Sequence, residues 1–124
     1  MKIIPRFYHA VLDYVVAIVV LLAPNILGFA DAGGAATWVP RIVGMMLLLQ
    51  AIMTNYELGL LKIIPFAMHL MSDYVAAACL IIAPSIFDFG TEPQATVTLV
   101  VIGLLVLGVT AMTQPRGRPR EALA

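Results

Sequence analysis

"KIIPRFYHAVLDYVVAIVVLLAPNILGF", residues 2 to 29, decides the fold because it occurs twice: residues 62 to 89 read "KIIPFAMHLMSDYVAAACLIIAPSIFDF". At this offset of 60, 13 of 28 positions are identical, among them Lys2/Lys62, Pro5/Pro65, His9/His69, Asp13/Asp73, Tyr14/Tyr74, Pro24/Pro84 and Phe29/Phe89. The duplication continues with an offset of 59, where "GMMLLLQAIMT" (44 to 54) meets "GLLVLGVTAMT" (103 to 113) through Gly44/Gly103, Met53/Met112 and Thr54/Thr113. One unit has been copied, and one residue has been lost in a loop.

Each copy holds two long apolar runs. The chain is 62% hydrophobic and 11% charged, with a mean hydropathy of +1.02, a balance foreign to soluble domains and suited to a lipid bilayer. Only helices or closed barrels satisfy their backbone in lipid, and unalternating runs such as "LVVIGLLVLGV" are helical. The expectation is therefore all-α: a four-helix transmembrane bundle built from two tandem two-helix repeats. Repeat one is 1–61, with spans near 5–23 and 39–55; repeat two is 62–113, with spans near 65–83 and 95–113. Because each unit crosses the membrane twice, the second enters in the same direction as the first, which implies a pseudo-twofold axis along the membrane normal. Pro5 and Pro65 suit a first helical turn, and Pro24 and Pro84 suit helix ends.

Lys2, Arg6, Lys62, Arg116, Arg118 and Arg120 fall on one side of these spans, and only Arg41 on the other, which carries Asp31, Asp88 and Glu92. The positive-inside rule then puts both termini in the cytoplasm. Residues 114–124, "QPRGRPREALA", read as a flexible basic cytoplasmic tail. Lys2 and Arg6 before an apolar core, followed by Ala30-Asp31-Ala32, imitate a cleaved signal, but Asp13 interrupts that core and the pattern recurs mid-chain. Seven basic and seven acidic residues cancel, so no field recruits nucleic acid. Cys79 is the only cysteine; it excludes an intrachain disulfide and reads as a small buried residue.

The helix, "LLAPNILGFAD" turn and glycine-bearing second helix resemble the SPW-repeat family of small bacterial integral membrane proteins. The likeness runs from about residue 9 to 113, with Ala23-Pro24-Asn25 and Ala83-Pro84-Ser85 standing where the family's Ser-Pro-Trp stands. It implies a multi-pass protein of the bacterial inner membrane and brings no site residues with it.

The polar residues inside the spans carry the functional question. Counting from Pro5, His9 lies about 6 Å and Asp13 about 12 Å along a helix, so the pairs His9/Asp13 and His69/Asp73 are deep. An aspartate there costs roughly 2.5–3.5 kcal/mol on insertion scales and faces the bundle interior with a partner. The next turn of that face brings Ala17 and Ala77, which predicts that helices one and three meet along a small-residue stripe. Tyr14 and Tyr74 lie off the face and cap other contacts, while Glu57 and Arg6 join the rim.

Three readings follow. The leading one is a non-enzymatic structural or interaction protein, an accessory subunit or homo-oligomer in the bilayer, whose His/Asp cluster is a brace. The alternative is a binding protein for haem or a transition metal held by His9, His69, Asp13 and Asp73, with Met68, Met71 and Met53 as further soft donors. The third is proton or ion translocation, which lacks polar lining in the outer half beyond Gln50, Thr96, Thr98 and Thr110. No nucleophile constellation or nucleotide-binding loop points to an enzyme. Gly44, Gly103 and Gly108 are expected at close helix crossings, Trp38, Phe29, Phe87 and Phe89 in an outer aromatic belt, and Phe7 and Tyr8 in an inner one.

Overall fold

The computed structural model describes residues 2–89 and 92–114. Four helices form: α1 (Arg6–Ile26), α2 (Gly34–Met53), α3 (Phe66–Ile86) and α4 (Pro93–Ala111). Each is long and apolar enough to cross a membrane. The basic tail lies beyond residue 114, outside the described residues.

Boundaries differ from expectation for identifiable reasons. Pro5 and Pro65 sit just before their helices in extended conformation, and their carbonyls accept the N–H of His9 at 3.1 Å and of His69 at 3.0 Å. Each histidine therefore closes the first turn of its helix. Pro24 and Pro84 do not end the helices but lie inside them. A proline one turn from the end removes a single hydrogen bond, and the N–H groups of Leu27 and Phe87 still reach the carbonyls of Ala23 and Ala83.

Each repeat forms its own close helix pair, α1 on α2 and α3 on α4, with lighter approaches of α1 to α4 and of α2 to α3 and α4. The glycines explain the close pairs. A Cβ on Gly44 would collide with the Leu21 backbone, and one on Gly103 would stand 3.0 Å from the Ala77 carbonyl and 2.7 Å from Ile81. Between lipid-solvated helices such tight van der Waals contact is the main source of association. Gly108 meets nothing within 4 Å and marks no crossing.

This geometry corrects the expected meeting of helices one and three. No Cα of α1 lies within 8 Å of a Cα of α3. Ala77 faces Gly103 of its own repeat instead, because glycine permits a closer approach than alanine. Phe29 and Phe89 also leave the expected aromatic belt: they are buried with Val20, Ala36, Leu80, Ala95, Leu99 and Ile102 in one apolar core at the Pro24/Pro84 end. Trp38, Phe87, Phe7 and Tyr8 remain exposed. Cys79 is exposed rather than buried; in a helix that is apolar all round, smallness does not say which face turns inward.

The two repeats are joined twice in the same way. Asn55 N–H donates to the Ile64 carbonyl at 2.7 Å and Ile64 N–H to Met53 at 2.8 Å; likewise Gln114 N–H donates to Ile4 at 2.9 Å and Ile4 N–H to Met112 at 2.8 Å. The first junction is covalently continuous, and the second brings the segment before α1 against the end of α4.

Candidate functional site

The site begins with helix register. A residue four positions beyond histidine returns to the same face, so α1 presents His9 with Asp13 and α3 presents His69 with Asp73. These four residues converge at the Pro5/Pro65 end of the bundle, with one ligating atom from each lying within 4.8 Å of all the others. The imidazole centroids are 5.5 Å apart and the rings nearly perpendicular. Both Nε2 atoms point to the middle. His9 Nε2 is 3.1 Å from Asp13 and 2.9 Å from Asp73; His69 Nε2 is 2.8 Å from Asp13 and 3.2 Å from Asp73. The side chains close a ring between helices whose backbones do not meet.

A second set of residues fixes how the ring is protonated. Thr54 Oγ1 donates to the Gln50 carbonyl at 2.6 Å, and Thr113 Oγ1 donates to the Val109 carbonyl at 2.6 Å. With the hydroxyl proton committed, each oxygen can only accept from the histidine nitrogen beside it, His69 Nδ1 at 2.6 Å and His9 Nδ1 at 2.7 Å. The two threonines thus suit a proton on each Nδ1 and turn both Nε2 atoms inward, and Gln50 Nε2 also stands 3.3 Å from His69 Nδ1.

The carboxylates are held from outside as well. Tyr56 O–H donates to Asp13 Oδ2 at 3.0 Å. Burial holds the Tyr56 hydroxyl well above its ordinary range, and the neighbouring Asp13 adds to this, so it stays a donor. Gln50 Nε2 donates to Asp73 Oδ1 at 3.2 Å and to Ser72 Oγ at 2.7 Å. Each carboxylate thus accepts a hydrogen bond from a neutral side chain outside the ring as well as facing the two imidazoles.

Of the other residues expected here, Tyr14 O–H donates to the Leu58 carbonyl at 2.7 Å, which anchors the linker rather than the ring. Tyr74 is exposed on α3, away from the cluster, as are Met68 and Met71, which removes the methionines on α3 as donors. Glu57 sits at the rim in a 2.8 Å ion pair with Arg6. The Arg6 hydrogen bond holds its carboxyl below the usual range. Gln50, read from sequence as outer-half lining, is three residues from the end of α2 and belongs to the ring's own end. Thr54, Thr113, Tyr56 and Ser72 were not singled out for the site, although Thr54/Thr113 are identical in the repeat. That shared identity was the available signal.

A cavity of about 100 Å³ adjoins the ring; all four of its side chains line it, with Leu12, Leu105 and Thr110 among the rest.

The SPW repeat domain model matches residues 7–113. The chain belongs to the SPW repeat family. No curated protein and no solved structure matches it. Within this SPW-repeat protein the matched region takes in the four described helices, save Arg6 at the start of α1, and the complete His/Asp ring.

Proposed function

We propose that this is a small non-enzymatic membrane protein with a structural or interaction role, in which the His/Asp ring braces two tandem repeats. In this reading the repeats are related by a pseudo-twofold axis along the membrane normal, with both termini on the cytoplasmic side of a bacterial inner membrane. One observation carries it: His9, Asp13, His69 and Asp73 satisfy one another across the gap between α1 and α3, where no backbone contact does the same work. Two basic and two acidic side chains in one ring supply each other's counter-groups, which is what a low-dielectric interior tolerates.

The competing readings have less support. A translocation path would have to cross the buried core of Val20, Leu80, Leu99 and Ile102, which offers no polar relay. Haem would need far more space than a cavity of about 100 Å³ provides, since pockets for sizeable ligands run to roughly 300–1,000 Å³.

Thermal unfolding in mild detergent tests the brace. Replacing His9 or Asp73 alone by leucine leaves buried charge unpaired, with an expected loss of about 3–5 kcal/mol. Replacing all four by leucine removes the charges together and is expected to be near neutral or stabilising. A fourfold variant as damaged as the sum of its single changes would overturn the reading.

A further inference from the structure

We propose that the His9/Asp13/His69/Asp73 ring is a binding site for one divalent first-row transition metal ion, with Zn²⁺ the best match. The inference rests on the ring's being a brace between the repeats, and adds that the brace exists in a proton-held and a metal-held form.

The donor set is two imidazole nitrogens and two carboxylate oxygens, the N/O chemistry that zinc takes in four-coordinate sites. Around a tetrahedral ion with bonds of about 2.0–2.2 Å, neighbouring ligand atoms stand roughly 3.3–3.5 Å apart. The four Nε2–oxygen contacts span 2.8 to 3.2 Å, using both oxygens of Asp13, and one donor atom from each residue lies within 4.8 Å of the others, so closing round an ion asks the donors for shifts of up to roughly an ångström. The outer groups are those of a metal centre. Ligating histidines donate their other N–H to a fixed acceptor, which sets the tautomer and aims the lone pair; Thr113 and Thr54 do this for His9 and His69. Tyr56 and Gln50 orient the carboxylates in the same way.

An independent observation lies in the ring itself. His9 Nε2 makes an aligned hydrogen bond to Asp73 at 2.9 Å, whereas His69 Nε2, fully buried, has no aligned hydrogen-bond partner despite its carboxylate neighbours. That nitrogen stands 2.8 Å from Asp13 and 3.2 Å from Asp73 without an aligned hydrogen bond to either, a placement that an ion between them would use better than a proton does. The adjoining cavity of about 100 Å³ is lined by all four ligands, so there is room beside the ring for the donors to rearrange.

Charge balance favours a dication. Two neutral imidazoles and two carboxylates bring two negative charges to an ion, which one M²⁺ cancels. A monovalent or trivalent ion would leave net charge in the bundle.

The test uses the full chain in mild detergent, stripped with chelator and titrated with Co²⁺, then Zn²⁺. Expected are one Co²⁺ per chain with the intense visible bands of a tetrahedral site, and displacement by Zn²⁺. His69→Ala should abolish the bands. Thr113→Val keeps every ligand and should weaken binding by about 10–100-fold, so the proposal stays testable if the histidine variant does not fold. Folded wild-type protein that retains neither ion at micromolar concentration, or Zn²⁺ binding unchanged in His9→Ala/His69→Ala, would overturn it. Such a failure leaves the thermal comparison of single and fourfold variants standing, because those measurements are made on metal-free protein.

Discussion

Asp13 and Asp73 occupy the same place in two copies of one unit, yet their flanks differ. Around Asp73, α2 contributes Gln50 and α3 contributes Ser72, and together they seal the carboxylate. The counterparts of these two residues, Val109 and Leu12, have no hydrogen-bonding side chain, so neither position supplies a donor beside Asp13. Thr110, where the other repeat has Ala51, leaves its hydroxyl unpartnered. The result is 4% exposure for the Asp73 side chain against 16% for Asp13. The two copies share the four ring residues but differ in the residues that flank them.

The largest test of this difference compares the two carboxylates. Asp73→Asn is expected to cost about 3–5 kcal/mol by leaving imidazolium charge uncompensated in a sealed setting, and Asp13→Asn distinctly less. Unfolding in detergent measures both; equal losses would mean that the flanks are energetically alike. A middle-sized effect comes from exchanging the supports. Gln50→Val strips Asp73 and Ser72 of a donor, with an expected loss of about 1–3 kcal/mol. Val109→Gln places the same side chain against a cavity with room for it and should be tolerated. If Val109→Gln proves the more damaging change, the asymmetry is not where the structure puts it.

The smallest effect is at the rim, where Arg6 pairs with Glu57 but its repeat counterpart is Phe66, buried among the rings. Glu57 has its carboxyl lowered by the Arg6 hydrogen bond. The pair's stabilisation is therefore complete above the ordinary carboxylate range and disappears as pH falls through the lowered value. Side-chain exposures of 35% and 40% limit it to about 0.2–1 kcal/mol. The melting-temperature gap between wild type and Glu57→Gln should shrink on acidification, and a gap constant with pH would contradict the assignment.

The same asymmetries show where sequence reading stops. Spans, duplication and the convergence of His9, Asp13, His69 and Asp73 were legible, because hydropathy fixes which segments enter lipid and a four-residue spacing fixes a shared face. Rotation about each helix axis was not. A helix apolar on every side gives no contrast between lipid and neighbour, so Phe29, Phe89 and Cys79 were turned the wrong way and Ala77 was assigned to the wrong partner. Gly44 and Gly103 were read correctly because a missing side chain has one common use between packed helices. The hydroxyls of Thr54 and Thr113 went unassigned because a threonine one turn beyond a backbone carbonyl is common in any membrane helix. Its effect on a distant imidazole appears only once the helices are placed together.

The matching junctions, Ile4 with Thr113 and Ile64 with Thr54, make the order of the four helices cyclic. An expressed chain opened between Leu60 and Leu61 and fused from Gln114 to Lys2 would contain every junction of the present one. A single two-helix unit pairing with its own copy would likewise build the ring from two identical halves. The covalent link between the repeats fixes which copy meets which, and it frees positions such as Gln50 and Val109 to diverge, as two identical subunits could not.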